Sequence, residues 1–234
     1  GQCIQPPSNL VAWWPGDGNT GDIIGNSNGV HVGTATYAAG KVGQAFSFDG
    51  TNYVEVADSP VLRPTTYTVD AWIYPTVVSG NHNVVFKGDH EYAMQIRNGK
   101  VVFASKSANG TYAEFQGSLD VPVNAWSHIA ITQDATIKRI YVNGDLDPVT
   151  QQQDGHYTSN LGPLRIGTHN NIFEFFYGLI DEVDIIARPL TQAEIQAIYN
   201  AGSAGKCKPC ISPPAEMIHW YRGENNASDE VFGQ

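Results

Sequence analysis

Three groups of residues in this chain have types and spacing that could do chemistry. The first is the loop Gly16 to Gly25, which carries Asp17, Asn19 and Asp22 among glycines. A calcium ion takes six to eight oxygens, and a Gly-rich loop can turn carboxylates, a carboxamide and backbone carbonyls toward one point. Asp, Asn and Gly also gather in plain turns, because they accept left-handed backbone and make Asx-turns. The second group is the cysteines, Cys3, Cys207 and Cys210, of which the last two have the spacing of a redox or zinc pair. The third is negative. The chain has no Ser-His-Asp order, no HExxH and no GxxxxGK, and its seven histidines are scattered, so no catalytic residues are assigned.

An internal repeat decides between the cysteine readings. Cys3-Ile-Gln-Pro-Pro, Trp13, Gly16, Asp17, Asn19 and Asp22 return as Cys210-Ile-Ser-Pro-Pro, Trp220, Gly223, Glu224, Asn226 and Asp229, at a constant offset. Eight of the twenty positions from Cys3 to Asp22 are identical. Cys210 therefore belongs to a second copy, and Cys207 closes the first. The register predicts a Cys3–Cys207 disulfide joining the ends of one domain at residues 1–206. Residues 207–234 are then a linker and the opening of another copy. A disulfide implies an oxidising, extracellular setting, secreted or at the cell surface.

Composition narrows the partners. Net charge is −10, from 13 basic and 23 acidic residues. Nucleic-acid binding depends on clustered Lys and Arg, so this balance disfavours it. No apolar run approaches the ~18 residues that a membrane-spanning helix needs. Hydrophobic residues make up 41 % of the chain, enough to supply a core.

The elements that must hold these residues read almost entirely as strand. Ala45–Phe48 and Tyr53–Val56 flank an Asp49-Gly50 turn, Tyr67–Tyr74 alternates, and Val84–Phe86 is short. Asn98-Gly99 and Asn143-Gly144 predict hairpins, because a type I′ turn needs positive φ at both central residues. Trp126–Thr132, Ile137–Val142, Leu164–Gly167 and Phe176–Ile186 complete a meander. One helix is capped by Thr191 with Glu194 closing a capping box, turns Ile195, Ile198 and Tyr199 inward, and stops at Gly202. The pattern predicts an all-β, two-sheet antiparallel sandwich with one short C-terminal helix. Trp13, Trp72 and Trp126 are expected in its core. Pairing across Asn98-Gly99 puts Gln95, Arg97, Lys100 and Lys106 on one face, opposite Met94, Ile96, Val101 and Phe103. Such a face can be plainly solvated or can bind. Tyr112, Phe115, Tyr157 and Phe173 could stack on a sugar ring, and His169-Asn170-Asn171 offers hydrogen-bond groups at a strand end.

Lys41-Val-Gly-Gln-Ala-Phe-Ser-Phe-Asp-Gly50, Ala71-Trp-Ile73, Ala125-Trp-Ser-His128, Tyr141-Val-Asn-Gly144, Gly178-Leu-Ile-Asp-Glu-Val183 and Leu190-Thr-Gln-Ala-Glu-Ile195 resemble a laminin-G-like domain. This is the concanavalin A-like jelly roll, of the bacterial tandem-repeat type, and the resemblance covers roughly residues 9–202. It implies a structural calcium held by Asp17, Asp22 and Asp181, with Asn19 beside them. It implies glycan binding through Gln95, Arg97, Lys106, His169 and Asn171. Glu182 is read as a residue of the sheet face. Related jelly-roll hydrolases carry three acids on one strand. Here Asp181-Glu-Val-Asp184 is followed by Ile185, Ile186 and Ala187, so the proton donor of a retaining mechanism is missing. The expected function is a non-enzymatic, secreted or cell-surface adhesive module that binds glycans or matrix proteins. The alternative is a building block of an extracellular array, assembled head to tail by strand addition of residues 210–234.

Overall fold

Both Asn-Gly pairs turn as required: Asn98 and Gly99 have φ of 49° and 74°, and Asn143 and Gly144 have 52° and 85°. The structure, a computed structural model, describes residues 2–152, 155–157 and 161–209. Cys210 and the repeated segment lie outside the described residues. In chain order the strands begin with β1 (Leu10–Trp14), β2 (Gly29–Val32), β3 (Tyr37–Ala39), β4 (Gln44–Asp49) and β5 (Tyr53–Val56). Then come β6 (Tyr67–Pro75), β7 (Asn81–Lys87), β8 (Tyr92–Arg97), β9 (Lys100–Lys106) and β10 (Tyr112–Asp120). Next are β11 (Ser127–Gln133), β12 (Ile137–Val142), β13 (Asp145–Gln152), β14 (Leu164–Ile166) and β15 (Tyr177–Ile186), and the helix α1 (Gln192–Ala201) follows.

The strands form two antiparallel sheets. The first runs β13-β12-β11-β6-β15-β4-β3, with β1 also paired to β15. The second runs β10-β9-β8-β7-β14-β5-β2. Their inner faces meet in one core that includes Trp14, Phe46, Tyr67, Tyr92, Phe103 and Ile180, all fully buried. Each such side chain contributes about 1.5–3 kcal/mol by leaving water. Sheet contact is close enough at Gly178 that a Cβ there would lie 2.1 Å from the Tyr74 carbonyl oxygen, so only glycine fits.

The outer face of the first sheet is covered by α1, the N-terminal segment and residues 205–208. Thr191 caps α1 with a complete capping box, and Ile195 and Ile198 are buried against Ala130, Tyr141, Ile186 and Leu190. Cys3 and Cys207 are disulfide-bonded across a separation of 204 residues. Lys206 bridges to Ile4, and the Cys207 amide donates to the Ile4 carbonyl at 2.7 Å. Residues 205–208 thus form a strap over β1 and β15.

The tryptophans correct one expectation. Trp13 and Trp72 are buried, but on this outer face rather than between the sheets. Trp72 stacks on Tyr199 of α1. Trp126 is only half-buried, packed on Tyr74. Glu182 departs further from expectation. A bulge between Asp181 and Asp184 gives it a φ of 54°, and it is buried, not displayed on the face. Among the described residues, no helix is long and apolar enough to cross a membrane.

Candidate functional site

The outer face of the second sheet is built from strand register. Glu55, Arg165, Phe86, Ala93, Ala104 and Glu114 follow one another across five strand pairings. Asn83, Gln95, Val102 and Gln116 form the next row, and Asn81, Arg97 and Lys100 the one beyond. Ala93 and Ala104 are small and fully buried, and Phe86 packs with them. The segment after β14 folds onto this floor. His169 stacks on Phe173 at 4.2 Å between ring centroids, and lies 4.3 Å from Phe86 and 5.5 Å from His90. His90 in turn meets Tyr112 edge-on at 4.7 Å.

A hydrogen-bonded chain links these parts. Glu174 accepts from the carboxamides of Asn81 and Asn83, each at 3.0 Å. Arg97 donates to Asn81 at 2.7 Å and clamps Glu114 through two bonds of 2.6 and 3.0 Å. The Tyr112 hydroxyl also donates to Glu114. The Arg97 guanidinium holds the Glu114 carboxyl below its ordinary range. Burial pushes both His90 and His169 down, so each is neutral near pH 7. Two side chains have hydrogen-bonding groups left over. Asn83 Oδ1 is buried with no partner, and Gln95, 3 % exposed, makes no side-chain hydrogen bond among the described residues.

The backbone here is strained. His90, Ile172 and Glu174 have φ of 60°, 59° and 54°. For a β-branched Ile this is a costly conformation, held only where surrounding contacts impose it, and such residues concentrate at binding sites.

Of the residues assigned to binding from sequence, Gln95, Arg97 and His169 come together here. Lys106 sits at the rim, paired with Asp89 and 5.5 Å from the Tyr157 ring. Asn171 is at the exposed loop tip, its backbone N–H donating to His169 Nδ1. Phe115 leaves the candidate set, because it packs toward the core. Sequence reasoning missed Asn81, Asn83, His90, Glu114 and Glu174. The alternation of Asn81 and Asn83 ahead of Val84 was a usable signal. Glu174 had none.

The acids assigned to calcium divide. Asp22 accepts backbone amides from Trp13, Ile24 and Gly25 on one oxygen and from Ser27 on the other, at 3.0–3.1 Å, so it pins its own loop. Asn19 closes an Asx-turn with Gly21. Each of their side-chain oxygens already accepts at least one backbone hydrogen bond. Asp17 and Asp181 flank one segment, accepting from the Gln44 and Val42 amides at 2.9 Å each. Asp181 Oδ1 is buried without a partner, and burial, with Glu182 and Asp17 nearby, pushes its carboxyl up to about 8. Lys208 binds the second oxygen of Asp17. Among the described residues, no three His, Cys, Asp or Glu side chains gather as a metal would require.

Beside Asp181 lies a buried charge nest. Lys206 Nζ is 3.1 Å from Glu182 and 2.9 Å from Asp184, all three at most 3 % exposed. Trp13 Nε1 donates to Glu182 at 3.0 Å, and Asp70 pairs with His128 at 3.0 Å close by. With a lysine at its centre, this acidic pair is a structural ion cluster.

Residues 48–196 match the family described as the concanavalin A-like lectin/glucanases superfamily. No curated protein matches the chain. Among solved structures, domain 4 of AbnA, an extracellular arabinanase from Geobacillus stearothermophilus solved with arabinotriose, is 21 % identical with a TM-score of 0.67. The match covers 80 % of this chain and 97 % of that domain. The binding domain of Paraclostridial Mosquitocidal Protein 1 is 18 % identical, with a TM-score of 0.67, over 82 % of this chain and 52 % of that one. The binding domain of Botulinum Neurotoxin DC, in complex with SialylT, is 16 % identical with a TM-score of 0.64, over 83 % and 52 %. The chain thus spans about half the length of these toxin domains. At such identities the likeness shows a shared fold. The chain belongs to the concanavalin A-like lectin/glucanases superfamily.

Proposed function

We propose that this chain is a non-catalytic glycan-binding module that acts outside the cell. One observation carries the reading: Asn83 Oδ1, which has no partner, and Gln95, which makes no side-chain hydrogen bond among the described residues, lie beside a stacked aromatic pair. Buried polar groups are nearly always hydrogen-bonded, so one left open beside a surface site suits a ligand hydroxyl. An aromatic face with convergent polar groups is how a sugar ring is held. The arabinanase and toxin domains of similar fold support the same reading, and the disulfide supports an extracellular setting. Titration of the full chain with soluble oligosaccharides, followed by NMR or calorimetry, tests it. Binding that is lost in Gln95→Ala and Phe173→Ala variants is expected. Binding unchanged in both would move the site elsewhere.

A structural calcium remains part of the proposal on a reduced set. Asp17 and Asp181 would hold it, while Asp22 and Asn19 already hydrogen-bond within their own loop. The unpartnered oxygen of Asp181 supports this, and backbone or water oxygens would complete the shell. Lys208 would have to leave Asp17. Elemental analysis, and a melting temperature that falls in chelator, are the readouts. A tandem arrangement, with residues 207–234 opening a second copy, is supported by the repeat alone.

A further inference from the structure

We infer that this face selects neutral, hydroxyl-rich glycans and rejects acidic ones. The inference rests on the glycan-binding reading and adds the class of sugar.

The charges of the face are already matched. Arg97 is clamped by Glu114. Arg165 pairs with Glu55 at 2.8 Å and also donates to Asn170. Lys106 is held by Asp89, and Lys100 by Asp120 at 2.7 Å. Four cations thus meet four carboxylates. Glu174 is left over, held only by the neutral amides of Asn81 and Asn83. The two histidines contribute no positive charge near pH 7. A sialic or uronic acid carboxylate would therefore find no free cation, and would approach the unmatched Glu174. The chain's net charge of −10 repels it further.

The unpartnered hydrogen-bond groups ask for the same ligand. Asn83 Oδ1 is an acceptor and needs a donor. Glu174 is acceptor-only. A sugar hydroxyl supplies donors, whereas a carboxylate supplies none. Gln95 can donate and accept, which suits a hydroxyl in either role. Stacking on His169 and Phe173 needs a C–H face, which neutral rings present without bringing charge onto the aromatic pair.

The full chain is titrated with arabinotriose, xylotriose and cellotriose as neutral probes. Trigalacturonic acid and sialyllactose are the acidic probes. Both sets are run at low and high salt. At least one neutral probe should bind, with an affinity that changes less than about twofold with salt, because no ion pair forms. The acidic probes should bind at least about tenfold more weakly than the best neutral one. A Glu114→Ala variant frees Arg97 and should gain affinity for an acidic probe relative to the neutral ones. Acidic probes that bind as tightly as neutral ones, or a steep loss of binding with salt, would overturn the selectivity and leave the glycan reading standing. Failure of the Glu114→Ala variant to gain acidic affinity would overturn the charge-matching argument. Silence from both sets would refute the glycan reading and the inference with it.

Discussion

Replacing Lys206 with Met should be among the most damaging single changes to this fold. The side chain is nearly isosteric, so packing is kept while the charge is lost. Lys206 Nζ lies between Glu182 and Asp184 at 3.1 and 2.9 Å and 4.7 Å from the Trp13 ring centroid. Burial works against the ammonium, but Asp184 and then Glu182 outweigh it, so its net shift is upward. Without it, two buried carboxyls share one site. Burial already raises Asp184 well above its ordinary value, and Trp13 Nε1 is left as the donor to Glu182. Breaking a buried pair in this way costs about 3–5 kcal/mol. For a domain of this size that is a fall of roughly 6–20 °C in melting temperature. Urea unfolding at pH 7 measures it. Replacing the whole nest, as Lys206→Met with Glu182→Gln and Asp184→Asn, should recover most of the loss, because no charge is then stranded. A loss under about 1 kcal/mol for Lys206→Met, or no recovery in the neutralised variant, would refute the account.

Three further outcomes are expected. Reducing the Cys3–Cys207 bond, or replacing both cysteines with Ser, should cost about 2–5 kcal/mol, and Lys206→Met should cost less in that background, because the strap that seats the lysine is then untethered; equilibrium unfolding of the four species gives the coupling. His156 is held neutral down to about pH 4 by burial, so its contribution is complete above about pH 6.5 and drains as pH falls toward 4, whereas Glu91, pushed up to about 7, loses stability as pH rises from 4.5 to 7. The two slopes oppose, so His156→Phe should expose a stability that declines with rising pH by up to about 1.4 kcal/mol per unit between pH 4.5 and 7; a flat profile in that variant would contradict the assignment. Ile172→Gly should leave the melting temperature unchanged or raise it slightly, since the residue is half exposed with positive φ, and a large fall would show that its side chain anchors the loop.

Local grammar was legible in the chain. The Asn98-Gly99 and Asn143-Gly144 turns, the Thr191–Glu194 cap and the Gly202 stop each depend on residues no more than a few positions apart, and each stands where the pattern puts it. The repeat register was enough to pair Cys3 with Cys207. Core strands such as β6 and β11 were legible because the face they turn between the sheets demands an apolar residue at every second position, although both of their faces are buried. β2, β3 and β10 had no reading of their own and each closes an edge of a sheet, while β13 was implied only by its turn. An edge strand is half solvated, so its sequence is free of that demand. Tertiary structure alone decided the rest. The bulge that buries Glu182, the strap that brings Lys206 to it, and the loop that lays Glu174 on Asn81 and Asn83 join residues 24 to 93 positions apart. Their contacts follow from which strands are neighbours in the sheet, and periodicity records which face a residue takes but not who lies across from it.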